Sequence, residues 1–332
     1  MTAIFSSARL AGCAAALALF AAPACADAAQ QSAPEPEAET ASNAAPADAA
    51  PADAAPGADV IASAPDGAWR TVSPTRLMRI ETTKGAVLIE TAPEFAPTHV
   101  ARFRELAEED FFDFKVWHRV IDDFMAQGGG ALDNPNANAD KPALEGEFTI
   151  RRDASMTITE LQDRTINPRE NRSTARAGFW NGFQAATQPI AQAAIRADGQ
   201  VESWLLHCEG AVAAARTQDP NSARSQFYIT RAETPHLETT YTVWGKVRDG
   251  QEAVNALEEG ALAQDRNFSP DFIEDVVLVG TLPAEDQPTV EVMDTSSDAF
   301  AAYLDAVAQA GGGTLPNVCD IDVPVRIQEP TQ

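Results

Sequence analysis

From residue 77 onward the chain alternates apolar and polar positions with a period of two. Leu77-Met78-Arg79-Ile80-Glu81-Thr82 predicts a strand, Thr83-Lys84-Gly85 a turn, and Ala86-Val87-Leu88-Ile89-Glu90-Thr91 the returning strand. The period then changes. Pro97, Val100, Phe103 and Leu106 fall on one face of a helix, with Pro in the first turn where no amide donor is needed. Two short apolar runs, 116–121 and 124–127, end in Gly128-Gly129-Gly130, where the backbone is free to bend. Strand-like patterning resumes at 210–215, 226–230, 241–247 and 273–279, and 251–259 reads as a helix. Many short strands with two helices among them favour a mainly β fold, a closed antiparallel barrel capped by helices, over alternating βαβ units.

The flanking segments read differently. Residues 151–206 contain Arg-rich and Ala-rich pieces, with helices expected at 159–165 and 188–196. After residue 283 comes an acidic extension with one expected helix, 298–310, ended by Gly311-Gly312-Gly313. Residues 27–66 are nearly all Ala, Pro, Asp, Glu, Ser and Gln. Such a segment buries too little apolar area to offset its ordering entropy and reads as a disordered tether, with order expected from near Trp69.

Residues 1–26 read as an export signal. Arg9 precedes an apolar, Ala-rich run at 10–22 that is too short to span a bilayer, and small residues follow in Ala22-Pro23-Ala24-Cys25-Ala26-Asp27. Two processing routes fit: cleavage after Ala26, or lipidation that leaves Cys25 as an anchored first residue. The division expected is therefore a signal at 1–26, a tether at 27–66, a main domain at 67–282 carrying an insertion at 151–206, and an extension at 283–332. The expected compartment is the periplasm, with or without a lipid anchor.

Composition narrows the partners. The net charge is −25, from 49 acidic against 24 basic residues. Such a chain repels phosphate backbones and anionic lipid surfaces, so nucleic-acid binding is set aside. No later run is long and apolar enough to span a membrane. Of four cysteines, Cys13 leaves with the signal and Cys25 is removed or lipidated. Cys208 and Cys319 remain, as a disulfide in an oxidising compartment or as two buried thiols. No second pair of ligands stands at metal spacing, so no zinc site is expected.

Three blocks carry a resemblance. The first is Ile80-Glu81-Thr82-Thr83-Lys84-Gly85-Ala86-Val87-Leu88-Ile89-Glu90, followed by Ala96-Pro97-Thr98. The second is Trp117-His118-Arg119-Val120-Ile121-Asp122-Asp123-Phe124-Met125-Ala126-Gln127-Gly128-Gly129. The third is Ala215-Arg216-Thr217-Gln218-Asp219-Pro220-Asn221-Ser222-Ala223-Arg224-Ser225-Gln226-Phe227-Tyr228-Ile229, continued by Thr234-Pro235-His236-Leu237 and Tyr241-Thr242-Val243-Trp244-Gly245-Lys246-Val247. Together these resemble the cyclophilins, with the second block similar to that family's most specific signature. The resemblance implies an eight-stranded antiparallel barrel with a helix at each end. It covers residues 75–148 and 208–282. The stretch between Phe148 and Gly210 stands where most members have a short connection. Tyr228 stands where Phe is usual, Trp117 replaces Phe before the His-Arg pair, and His236 and Tyr241 also depart from some members.

The implied reaction is rotation about an X–Pro amide. Resonance gives that bond a barrier of about 18–20 kcal/mol, so uncatalysed exchange takes tens to hundreds of seconds. Millisecond exchange needs roughly 10⁴–10⁵-fold acceleration, about 6 kcal/mol of barrier. No bond is broken, so no cofactor, metal or nucleophile is expected. The twisted amide has a pyramidal nitrogen that a fixed hydrogen-bond donor can stabilise. Arg119, always charged and rich in donors, suits that task. The resemblance assigns Gln127 to hold it and Phe124 to complete the catalytic set. It assigns Met125, Tyr228 and Leu237 to the proline pocket, Ala215, Arg216 and Gln226 to the peptide groove, and His236 and Tyr241 to the rim. His118 reads as structural. The expected partners are proline-containing peptides and unfolded exported proteins. The other reading open to the sequence is a weakly active or inactive proline-peptide binding module of the cell envelope. The insertion is expected to pack beside the groove and tune substrate choice, or else to be peripheral.

Overall fold

The computed structural model describes residues 55–166 and 172–330. The expected signal at 1–26, with Cys25 as a candidate for lipidation, and most of the expected tether at 27–66 lie outside the described residues.

The opening hairpin pairs Leu77–Thr82 with Gly85–Thr91, Leu77 opposite Glu90 and Thr82 opposite Gly85. It belongs to one antiparallel sheet. The strand order is Gly260–Ala261, Arg119–Ile121, Met125–Gly128, Phe227–Thr230, Ala211–Ala214, Val243–Asp249, Gly85–Thr91, Leu77–Thr82, Ile273–Leu278. That is nine strands where eight were expected. The extra one is the two-residue strand Gly260–Ala261, which pairs with Val120 and Arg119. The sheet curls until its ends approach. Val116 bridges Gly130 on one side and Phe272 on the other, and the Trp117 N–H donates to the Asp271 carbonyl at 2.9 Å.

The helix Pro97–Glu108 lays His99, Val100, Phe103, Leu106 and Ala107 on the sheet. Phe103 stacks on Trp244 with ring centroids 4.5 Å apart. The second helix is shorter than its pattern suggests and spans Gln251–Asn255. The Asp271 carboxylate accepts the Glu258 N–H at 2.7 Å, so this part of the chain turns away from helical bonding.

The insertion overturns both helix expectations. Thr159–Ile166 is a strand paired with Arg172–Trp180. These two join Phe183–Thr187, Val201–Leu205 and Ile150–Arg152 in a separate five-stranded antiparallel sheet. Helix propensity is a weak prior, and cross-strand pairing decided otherwise here. Residues 188–196 hold only a short 3-10 turn, Ile190–Ile195, with no buried residue to dock a helical face.

The C-terminal extension contains the expected helix, Asp298–Ala310, whose Ser297 hydroxyl accepts the Phe300 N–H at 3.1 Å. It is more than one helix, however. Its strands Thr289–Met293 and Val325–Gln328 join Trp69–Thr71 in a three-stranded sheet. Order also begins earlier than Trp69, since Ala58–Ser63 is helical and Val60 and Ile61 pack against the same core as Tyr303. That core gathers Trp69 from before the barrel, Phe179 and Trp204 from the insertion, and Phe300 and Val318 from the extension. Three segments that could not bury an apolar face alone thus form one second core. Cys208 and Cys319 are joined there by a disulfide, with Cα atoms 4.9 Å apart. The fully buried Glu90 on the barrel pairs with Arg70 at 2.9 Å and Arg248 at 2.7 Å. Both arginines also donate to the insertion's Asn181-Gly182 turn.

Candidate functional site

Strand alternation decides which side chains meet. In the pair formed by Arg119–Ile121 and Met125–Gly128, Arg119 is opposite Gln127, Val120 opposite Ala126, and Ile121 opposite Met125. Gln127 is in turn opposite Tyr228 on the next strand. Directly opposed residues share a face of the sheet. Arg119, Gln127 and Tyr228 therefore form one row across three strands, with Met125 beside it. Val120, Ala126, Phe227 and Ile229 point to the other face and fill the barrel core. The connection between the first two strands is tight. Asp123 takes φ 50°, a left-handed conformation that Asp tolerates. This turn sets Phe124 at the edge of the row.

Above the row lies a cavity of about 130 Å³ lined by Arg119, Phe124, Met125, Gln127, Ala215, Arg216, Tyr228, Leu237 and Tyr241. Every one of these residues is among those the family resemblance names. Gln226 and His236 stand just outside the lining. His236 stacks on Phe124 at 5.5 Å between ring centres. Larger cavities exist elsewhere, but they do not include Arg119.

The polar groups are fixed in sequence. Gln226 donates both amide hydrogens to main-chain carbonyls, Pro135 at 3.1 Å and Ala137 at 2.9 Å. Its oxygen is left to accept from Gln127 Nε2 at 3.1 Å. Gln127 Oε1 is then turned towards Arg119, with Nη1 3.5 Å away. The guanidinium lies 3.8 Å from Met125 Sδ and 5.7 Å from the Phe124 ring centre. Burial pulls Arg119 down from its ordinary pKa, and the neighbouring Tyr241 works against that. The guanidinium stays charged, because arginine does not deprotonate in proteins.

Arg216 is tied to the main chain rather than left free. Nε and Nη2 donate to the Thr240 carbonyl at 2.9 and 2.8 Å, and the guanidinium covers the Tyr241 ring at 4.1 Å. His118 is buried against the Gly130 backbone, and burial pushes its pKa down. It does not line the cavity. Among the described residues no group of three or more His, Cys, Asp or Glu could hold a metal ion. No described helix is long and apolar enough to cross a membrane.

The sheet face that carries Met125, Ala213 and Tyr228 continues behind the cavity, and the insertion covers it there. Ile158, Trp180, Phe183 and Leu205 pack with Met125, Tyr228 and Leu237 in one apolar cluster. Two residues that contact this site escape a reading of the sequence. His207 lies beneath Tyr228, its Nε2 3.0 Å from the Tyr228 hydroxyl. Glu238, next to Leu237, is paired with Arg164 of the insertion. The barrel motifs do not include His207 or Arg164, and no spacing links either to the row.

The family profile described as "Cyclophilin type peptidyl-prolyl cis-trans isomerase/CLD" matches residues 77–278. A probable peptidyl-prolyl cis-trans isomerase of Brucella abortus is 30% identical over 205 residues, covering 60% of this chain and 81% of the relative. The isomerase cyp18 of Streptomyces antibioticus is 24% identical over 209 residues, covering 60% of this chain and 94% of the relative. Among solved structures, cyclophilin AquaCyp293 from Hirschia baltica superposes with a TM-score of 0.69 at 34% identity, covering 80% of this chain and 95% of that one. A profile that runs from the first barrel strand to the last, through the row and its pocket, shows that the chain belongs to the cyclophilin-type peptidyl-prolyl cis-trans isomerase family.

Proposed function

We propose that this isomerase twists X–Pro amides through Arg119, held by Gln127, while the apolar cup of Phe124, Met125, Tyr228 and Leu237 grips the proline ring. The observation that carries the reading is the braced row, in which Gln226 orients Gln127 and Gln127 orients Arg119 beside a hollow of about 130 Å³. Apolar cavities of about 150 Å³ hold one benzene-sized ring, so the hollow suits a pyrrolidine.

The chemistry follows from differential binding. A planar amide nitrogen is a poor acceptor. A twisted one regains its lone pair, so a donor beside it binds the transition state more tightly than either ground state. A donor that is already fixed needs no reorganisation as rotation proceeds. The apolar walls strengthen the interaction by excluding water. Ala215, Arg216 and Gln226 border the groove along which the peptide main chain would lie, and His236 and Tyr241 stand at the rim of the pocket.

We further assign the enzyme to the folding of exported proteins in the periplasm, soluble or anchored through Cys25. The apolar N-terminal run and the Cys208–Cys319 disulfide support an oxidising compartment. The deciding experiment is Arg119→Ala, followed by NMR exchange between cis and trans forms of an Ala-Pro peptide. Loss of one fixed donor to the transition state is expected to lower kcat/KM by roughly a hundredfold with the fold intact. Turnover near that of the unaltered enzyme would overturn the assignment.

A further inference from the structure

The Tyr228 hydroxyl does not enter the proline cup. It points to His207, whose imidazole is fully buried, with Nε2 3.0 Å from the hydroxyl and the two rings inclined by 19°. His207 follows the insertion strand Val201–Leu205 and precedes Cys208, which the disulfide ties to the C-terminal extension. Its main-chain carbonyl accepts the Thr234 N–H at 2.8 Å. Thr234 opens the turn Pro235–Leu237, which supplies Leu237 to the cup. One residue from outside the barrel motifs therefore touches two walls of the pocket, through its ring and through its backbone.

We propose that His207 is a positioning residue for the proline pocket: it holds the Tyr228 ring by bonding its hydroxyl, and so couples the insertion to substrate affinity. The inference rests on the pocket assignment above and goes further, because it gives the accessory layer a role in substrate binding.

The physical case is one of satisfaction. A buried phenol without a partner is costly, and it would swing towards water or admit water to the cup. The imidazole removes that cost from the side away from substrate, although its own Nδ1 is buried without a partner, and the face offered to proline stays apolar. To accept the phenol O–H at Nε2 the imidazole must be neutral. Burial pushes its pKa down to about 3, and the nearby His236 and Arg164 act in the same direction. Tyr228 is also held on its other side, edge-on to Tyr241 with centroids 5.9 Å apart.

The test is a double-mutant cycle on the full chain, His207→Phe and Tyr228→Phe, with kcat and KM measured separately on an Ala-Pro peptide. His207→Phe strands the hydroxyl, and KM should rise roughly five- to tenfold with kcat little changed. Adding Tyr228→Phe removes the stranded group, so the double variant should recover most of that loss. His207→Gln, which keeps a polar partner, should fall between the two. An unchanged KM in His207→Phe, or losses that simply add in the double variant, would overturn the inference. Should His207→Phe fail to fold, the ring nitrogens of His207 in the unaltered protein can be followed by NMR. A neutral ring at pH 5 whose signals shift on peptide addition supports the coupling, and a protonated or unresponsive ring refutes it. Arg119→Ala measured in parallel separates the two claims. If it abolishes turnover while His207→Phe changes nothing, the pocket assignment stands and only the His207 inference falls.

Discussion

Gln127 faces Arg119 directly across an antiparallel pair, with its amide oxygen 3.5 Å from Nη1. The amide is not free to turn, because Gln226 Oε1 accepts one of its hydrogens at 3.1 Å. The guanidinium is therefore held by a chain of side chains that ends on the main-chain carbonyls of Pro135 and Ala137.

Gln127→Leu should accordingly act on turnover rather than on binding. Hydrogen bonds to charged groups contribute about 1.5–3 kcal/mol, so kcat is expected to fall roughly ten- to a hundredfold. KM should move little, since the cup is untouched. Saturation kinetics on a single X–Pro peptide read both quantities. A rise in KM at constant kcat would mean that Gln127 serves the peptide and not Arg119.

Acid should weaken the fold through His207. Its folded pKa is about 3 against 6.5 for a free imidazole. Between those values the unfolded chain binds a proton that the native ring refuses, so stability rises with pH across that window and is lost as pH falls. From pH 6.5 to 5 the loss is about 2 kcal/mol. Urea unfolding at several pH values measures it. The acid limb should be shallower in His207→Phe than in the parent protein.

Glu90 is buried between Arg70 and Arg248, and those arginines also hold the Asn181-Gly182 turn. Glu90→Ala leaves two cations without their counterion. Breaking a buried pair in this way costs about 3–5 kcal/mol. The melting temperature should drop on the order of 10 °C for a chain of this size. Glu90 lies outside the cavity lining. A shift of only one or two degrees would mean that water reaches the cluster.

The Cys208–Cys319 disulfide closes a loop with a sequence separation of 111. Loops of about a hundred residues gain up to about 5 kcal/mol from closure in the chain-entropy account. Cys319→Ala should therefore lower the denaturant midpoint while leaving Arg119 and Gln127 in register. The check is denaturation of both forms under the same oxidising buffer. Equal midpoints would show that the second core holds the extension without the bond.

Much of the barrel can be read along the chain. Strands such as Leu77–Thr82 need only a local period of two or a short apolar run, and the turn Thr83-Lys84-Gly85 needs only local residues. The helix Pro97–Glu108 also announces itself, because its apolar spacing and its proline lie within one segment. The insertion does not. Residues 159–165 suggest a helix, yet they lie in the strand Thr159–Ile166, which pairs with Arg172–Trp180. The tail likewise looked like one helix on an acidic thread. Its two strands pair with each other, and Thr289–Met293 also pairs with Trp69–Thr71, far away in the chain.

The sequence by itself determined the alternation that puts Arg119, Met125 and Gln127 on one face, and the motif spacing that marks the pocket residues. The alternation is a local property of the chain, set by pleat and turn chemistry, whereas the pocket residues are what the family resemblance implies. Only the tertiary structure decided that His207 would lie under Tyr228, that Arg164 would reach Glu238, and that three outlying segments would share a core. Those contacts join residues far apart in the chain. Burial and hydrogen-bond satisfaction select them, and neither quantity exists until the segments meet.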